Sequence, residues 1–102
     1  MDKQAIEKMY SDKKRYVETT LAAMLAPIHS FGSIKYARDA RSGEEYIKIT
    51  EANGYPWFIC VTGDSESAIG KEVCRMVGEN TPIGLVRSKS AQIQINKMFG
   101  GM

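Results

Sequence analysis

Residues 46–61 read YIKITEANGYPWFICV, and this stretch decides the fold. Asn53 and Gly54 both tolerate positive φ, so Asn-Gly between two apolar runs is the strongest short-range signal for a hairpin. Before the turn, Ile47 and Ile49 alternate with Tyr46, Lys48 and Thr50, which predicts a half-buried strand over 45–51. After it, a strand is expected over 55–62. Pro56 cannot donate a ladder hydrogen bond, so it belongs at that strand's start. Trp57, Ile59 and Val61 point one way, and Phe58 and Cys60 point the other. A strand apolar on both sides must be covered on both sides.

Working outward, Arg41-Ser42-Gly43-Glu44 is a turn. Ser33 to Asp39 alternates again and adds a third strand. Residues 2–26 are expected to form one long helix. Asp2 is placed to cap it, and Pro27 pushes the preceding residue out of helical geometry. Tyr10, Val17, Leu21, Met24 and Ile28 fall at helical spacing, with Lys14 as the polar break. A second helix opens after Gly63, with Asp64 as cap, Ile69, Val73, Met76 and Val77 as its apolar stripe, and Gly78 as its stop. Trp57, Ile59, Val61, Ile69, Val73 and Met76 are expected to pack together, because a short connection folds the helix back on the third strand. Residues 79–86 read as a linker. Residues 88–99 suit a helix capped by Ser88 or Ser90, with a strand as the alternative. The expected fold is a single α+β domain over 1–102: helix, three-stranded antiparallel meander, helix, terminal helix, in two layers.

Composition agrees with a globular domain. The chain has 102 residues, 43% hydrophobic and 25% charged, which excludes a disordered chain and a repeat array. No apolar run approaches the ~20 residues of a membrane span, and the N-terminal pattern is not that of a secretory signal. A cytoplasmic location is the expectation. The two cysteines, Cys60 and Cys74, lack CxxC spacing and read as buried thiols; a disulfide between them is the less favoured reading in a reducing compartment.

No motif for chemistry emerges. TGDSESAIGK resembles a phosphate loop only superficially. Six residues separate Gly63 from Gly70, and Asp64 and Glu66 stand where a phosphate would need positive charge. A helix cap explains the segment. His29 is the only histidine, with no positioned nucleophile or metal-ligand cluster beside it. Neither an enzymatic activity nor a cofactor is expected.

Charge is uneven along the chain. Residues 1–41 hold eight basic and five acidic residues, residues 42–80 three and seven, and residues 81–102 three and none. Lys13, Lys14, Arg15, Lys35, Arg38 and Arg41 form a candidate basic patch near Tyr10 and Tyr16, of a kind that binds phosphates and stacks bases. A solvated helix face is the plainer account. Tyr10, Val17 and Phe58 are candidate interface residues, since so few elements leave the Phe58 side of the sheet in need of cover, and a homodimer would supply it.

The stretch EEYIKITEANGYPWFICVTGDSESAIGKEVCRMV, about a third of the chain, resembles small accessory proteins of phages and mobile elements in Gram-positive bacteria. The resemblance carries no catalytic motif, so no residue role follows from it. It implies a short protein that works by binding, as anti-CRISPR inhibitors of host defence do. The function expected is therefore a non-enzymatic interaction protein that blocks or assembles with a larger protein. The alternatives are a nucleic-acid-binding accessory protein and a binder of a small anionic ligand in a dimer cleft.

Overall fold

The computed structural model of the chain describes residues 2–27, 31–39, 41–61, 65–66, 68–71, 73 and 86–100. An N-terminal helix comprises α1 (Lys3–Arg15), a π-helical stretch (Tyr16–Leu21) and α2 (Ala22–Leu25). Three strands follow: β1 (Phe31–Arg38), β2 (Glu45–Glu51) and β3 (Pro56–Val61). Residues 66, 68–71 and 73 are helical. The chain ends in α3 (Lys89–Asn96) and a 3₁₀ turn (Lys97–Phe99). This is the expected α+β arrangement, with the N-terminal helix laid on an antiparallel sheet of order β1-β2-β3. No helix among the described residues is long and apolar enough to cross a membrane.

Local chemistry sets the boundaries. The Asp2 carboxylate accepts from Ala5 N–H at 2.7 Å and caps α1. Gly54 takes φ 90° in the β2–β3 turn, where Asn53 Oδ1 also accepts from Tyr55 N–H at 3.0 Å. Ser88 caps α3 by accepting from Ala91 N–H at 3.4 Å, which decides residues 88–99 for helix. Ahead of the helical residues 66, 68–71 and 73, Ser65 Oγ accepts from Ala68 N–H at 3.2 Å. Asp64, expected as the cap, lies outside the described residues together with Ile28, His29, Cys74, Met76, Val77 and Gly78. β1 begins two residues earlier than its alternation suggested, because a bulge between Phe31 and Ser33 breaks the period.

Strand register sorts the sheet into two faces. One carries the cross-strand rows Ile34–Ile49–Trp57, Tyr36–Ile47–Ile59 and Arg38–Glu45–Val61. Val17, Leu21 and Leu25 of the N-terminal helix and Ile69 and Val73 pack on it, with Trp57 and Val61 at the margin. The expected packing of Ile59, Ile69 and Val73 is therefore present. Gly70 admits the N-terminal helix at close range: a Cβ there would collide with the Tyr16 hydroxyl. The helical stripe needs one correction. Met24 is half exposed, and Leu25 is buried in its place. In the π-helical stretch, i→i+5 bonding widens the turn, so each residue advances less than the ~100° of an α-helix. The buried line then runs Val17, Leu21, Leu25 at steps of four.

The other face carries Lys35–Lys48–Phe58 and Ala37–Tyr46–Cys60. The C-terminal helix covers part of it. Phe99 packs on Phe58 with ring centroids 6.2 Å apart, Lys48 Nζ donates to Asn96 Oδ1 at 2.7 Å, and the 3₁₀ turn lies against β1.

Candidate functional site

The residues singled out from the sequence do not assemble into one surface. Lys13 is only 5% exposed. It sits between Tyr10 and Val17 on the buried side of α1, above the polar last row of the sheet. Its ammonium donates to Glu45 Oε1 at 3.1 Å and Oε2 at 3.4 Å. Glu45 also accepts from the Tyr36 hydroxyl. Burial first, and then this bond to a carboxylate, raises the Tyr36 pKa. The Arg38 guanidinium stacks 4.1 Å from the Tyr10 ring centroid. Lys13, Arg38 and Tyr10 thus belong to a polar cluster closing one end of the core, and Lys13 is withdrawn from the basic patch.

The rest of that patch is largely matched by carboxylates. Lys14 Nζ lies 2.7 Å from Glu18 Oε2, and Arg15 Nη2 lies 2.9 Å from Asp12 Oδ1. Lys35 Nζ lies 3.9 Å from Glu18 Oε1. Arg41 is exposed in the β1–β2 turn. Glu18 also accepts from Tyr36 N–H at 3.0 Å. Burial alone would raise the Glu18 carboxyl, but the Lys14 hydrogen bond and charge, the Tyr36 N–H and Lys35 outweigh it and hold the group below its ordinary range.

Two of the three interface candidates are also corrected. Val17 is fully buried against the sheet. Phe58 is covered by Phe99 of its own chain. The alternation of β3 correctly demanded cover on both sides, and the terminal helix supplies it.

A surface that the sequence reading passed over lies where β3 begins and α3 starts. Val86 N–H donates to Phe58 O at 2.8 Å, and Gln92 Nε2 donates to Val86 O at 3.0 Å. These bonds pin the segment leading into α3 along the edge of β3. Lys89, Gln92, Ile93 and Asn96, at steps of three and four, then share one helix face beside Tyr55 and Pro56. Two adjoining hollows result. One, of about 280 Å³, is lined by Tyr55, Pro56, Trp57, Val86, Arg87 and Gln92. The other, of about 320 Å³, shares Tyr55, Pro56 and Gln92 and adds Phe58, Lys89, Ile93 and Asn96.

Tyr55 is 61% exposed and Ile93 62%, high values for large apolar side chains on ordered elements. The Tyr55 and Trp57 rings meet edge to face, 6.4 Å apart and 83° between planes. The Trp57 indole N–H is covered yet has no acceptor among the described residues. Among the described residues, no carboxylate lines either hollow. None of the ion pairs among the described residues involves Arg87 or Lys89. The lining therefore offers apolar surface and hydrogen-bond donors, and suits a ligand with an apolar group and acceptors. The signal in the sequence was the run from 81 to 102, which has three cations and no carboxylate. Its pairing with Tyr55 and Trp57 depends on a tertiary contact that no spacing encodes. Among the described residues no group of His, Cys, Asp and Glu could hold a metal ion. No protein-family model, curated protein or solved structure matches the chain.

Proposed function

We propose that the protein is a non-enzymatic binding protein that docks on a larger protein and blocks it or assembles with it. The observation that carries this reading is the exposed Tyr55–Ile93 surface, held on a strand start and a helix that hydrogen bonds lock together. Exposed apolar side chains on fixed elements need little ordering on binding, which favours a docking role. Inhibition of a host defence component, implied by the likeness to phage accessory proteins, is one form of it. A cytoplasmic setting, where thiols such as Cys60 stay reduced, belongs to the same reading. The ion pairs of Lys13, Lys14 and Arg15 weigh against a nucleic-acid partner, because charges already matched by carboxylates release few counterions.

The test is affinity capture from extract of the source cells, with the wild-type chain and a Tyr55→Ala/Ile93→Ala variant as baits. A protein captured in stoichiometric amount by the wild type and lost with the variant is the expected result. Capture of nothing, or capture that the variant leaves unchanged, would refute the assignment of this surface.

A further inference from the structure

We infer that the two hollows take an extended acidic peptide segment of a partner protein, with an apolar side chain seated between Pro56, Phe58 and Ile93 and its carboxylates facing Arg87 and Lys89. The inference rests on the protein-binding reading above and gives the partner its chemistry.

Charge complementarity carries it. Arg87 and Lys89 flank the hollows, both are exposed, and neither enters an ion pair among the described residues. Among the described residues, Lys13 has Glu45, Lys14 and Lys35 have Glu18, and Arg15 has Asp12, whereas no carboxylate among the described residues lines the hollows beside Arg87 and Lys89. Trp57 lines the first hollow, and its covered indole N–H has no acceptor among the described residues.

The edge of β3 decides how the segment is held. Pro56 has no N–H, and the Phe58 carbonyl already accepts from Val86. Strand addition is therefore blocked where the hollows lie, and recognition falls to side chains. The same geometry argues against a single nucleic-acid strand. Bases stack on ring faces, but the Tyr55 and Trp57 rings stand at 83° to each other and give no parallel platform. Two cations would also yield a salt slope of only about −1.4 on a single strand.

The test is selection of a displayed library of random peptides on the folded protein, followed by titration of the enriched peptides. Trp57, the chain's only tryptophan, reports binding by fluorescence. Enrichment of peptides with acidic residues around an aliphatic or aromatic one is expected. Their affinity should fall about tenfold in Arg87→Glu/Lys89→Glu and stay within about twofold in Lys8→Glu, an exposed change on α1. Because all three positions are exposed, the variants should keep the wild-type circular dichroism spectrum, which is recorded first. Selection without acidic bias, affinity unchanged by the charge reversal, or binding confined to an oligothymidylate probe would overturn the inference. So would a concentration-dependent dimer in light scattering that Ile93→Asp abolishes, since the surface would then belong to a second copy. If extract capture by the charge-reversed variant equals that of the wild type, the acidic-segment inference fails while the protein-binding reading stands. If the wild type captures nothing and selects no peptide, both fail.

Discussion

Replacing Lys13 by Met tests whether charge holds the polar end of the core together. The Lys13 ammonium is buried 3.1 Å from Glu45 Oε1, and the Glu45 side chain is only 13% exposed. At that distance the gross attraction is about 5 kcal/mol for an effective dielectric constant of ~20, set against a desolvation cost of several kcal/mol per ion. Met follows the same path as the lysine stem, so packing is retained and the charge alone is removed. The Glu45 carboxylate is then left with the Tyr36 hydroxyl but without its countercharge. A loss of about 3 kcal/mol is expected for Lys13→Met. Glu45→Gln should cost a similar ~3 kcal/mol, because the carboxamide oxygen still accepts from Tyr36 but the ammonium is unmatched. The double variant keeps the Tyr36 bond and buries no bare charge, so it should lose only ~1–2 kcal/mol. Urea unfolding followed by Trp57 fluorescence measures all four proteins, with the slope checked for constancy. A coupling energy of at least ~2 kcal/mol is expected from the cycle. A coupling below ~0.5 kcal/mol would show that solvent screens this pair as it does a surface one, and would refute the reasoning.

Two further outcomes follow from the core and the sheet edge. Ile69→Ala should destabilise the protein by ~2–4 kcal/mol, since Ile69 is fully buried against the sheet and the neighbours cannot all collapse into the space; a shift below ~0.5 kcal/mol in the same unfolding assay would place that side chain in solvent. Glu18 has a folded-state pKa below its ordinary value of 4.5, so its stabilising contribution is present above that pH and is lost as pH falls through the lowered value. Glu18→Gln should therefore lower stability at neutral pH and flatten its decline below about pH 5, whereas parallel curves for the two proteins would refute the assignment.

The fold was legible wherever a short-range rule acts alone. Asn53-Gly54 fixed the hairpin, Asp2 and Ser88 fixed helix starts, and alternation at Ile47 and Ile49 fixed the inner face of β2. It was illegible where two rules compete at one position. Lys13 lies on the apolar stripe of α1 but carries a charge, and only Glu45, thirty-two residues away in sequence, explains why it is inside. Leu25 replaces Met24 because the π-helical stretch turns the helix, a change of period that composition does not announce. Phe58 advertised an uncovered face, and whether that cover comes from Phe99 or from another molecule is a question of chain path, which side-chain pattern does not answer.

The two edges of the sheet bear on how the proposed surface would hold a partner. A three-stranded sheet leaves backbone donors and acceptors open on its outer strands, and such edges recruit other strands unless something covers them. On β1, the outward Tyr36 N–H donates to Glu18, which the N-terminal helix delivers with Lys14 beside it. On β3, the Phe58 carbonyl accepts from Val86, and Pro56 removes a donor at the strand's start. Both closures come from segments distant in sequence, with Tyr36 N–H and the Phe58 carbonyl each engaged. With pairing suppressed at both sides, strand addition becomes a poor way to hold a partner. Beside β3 and α3, Tyr55, Arg87, Lys89 and Ile93 remain exposed around the hollows. On the proposed reading, specificity resides in the charge and shape of what fills the hollows, and reversing Arg87 and Lys89 is expected to change the partner chosen without disturbing the sheet.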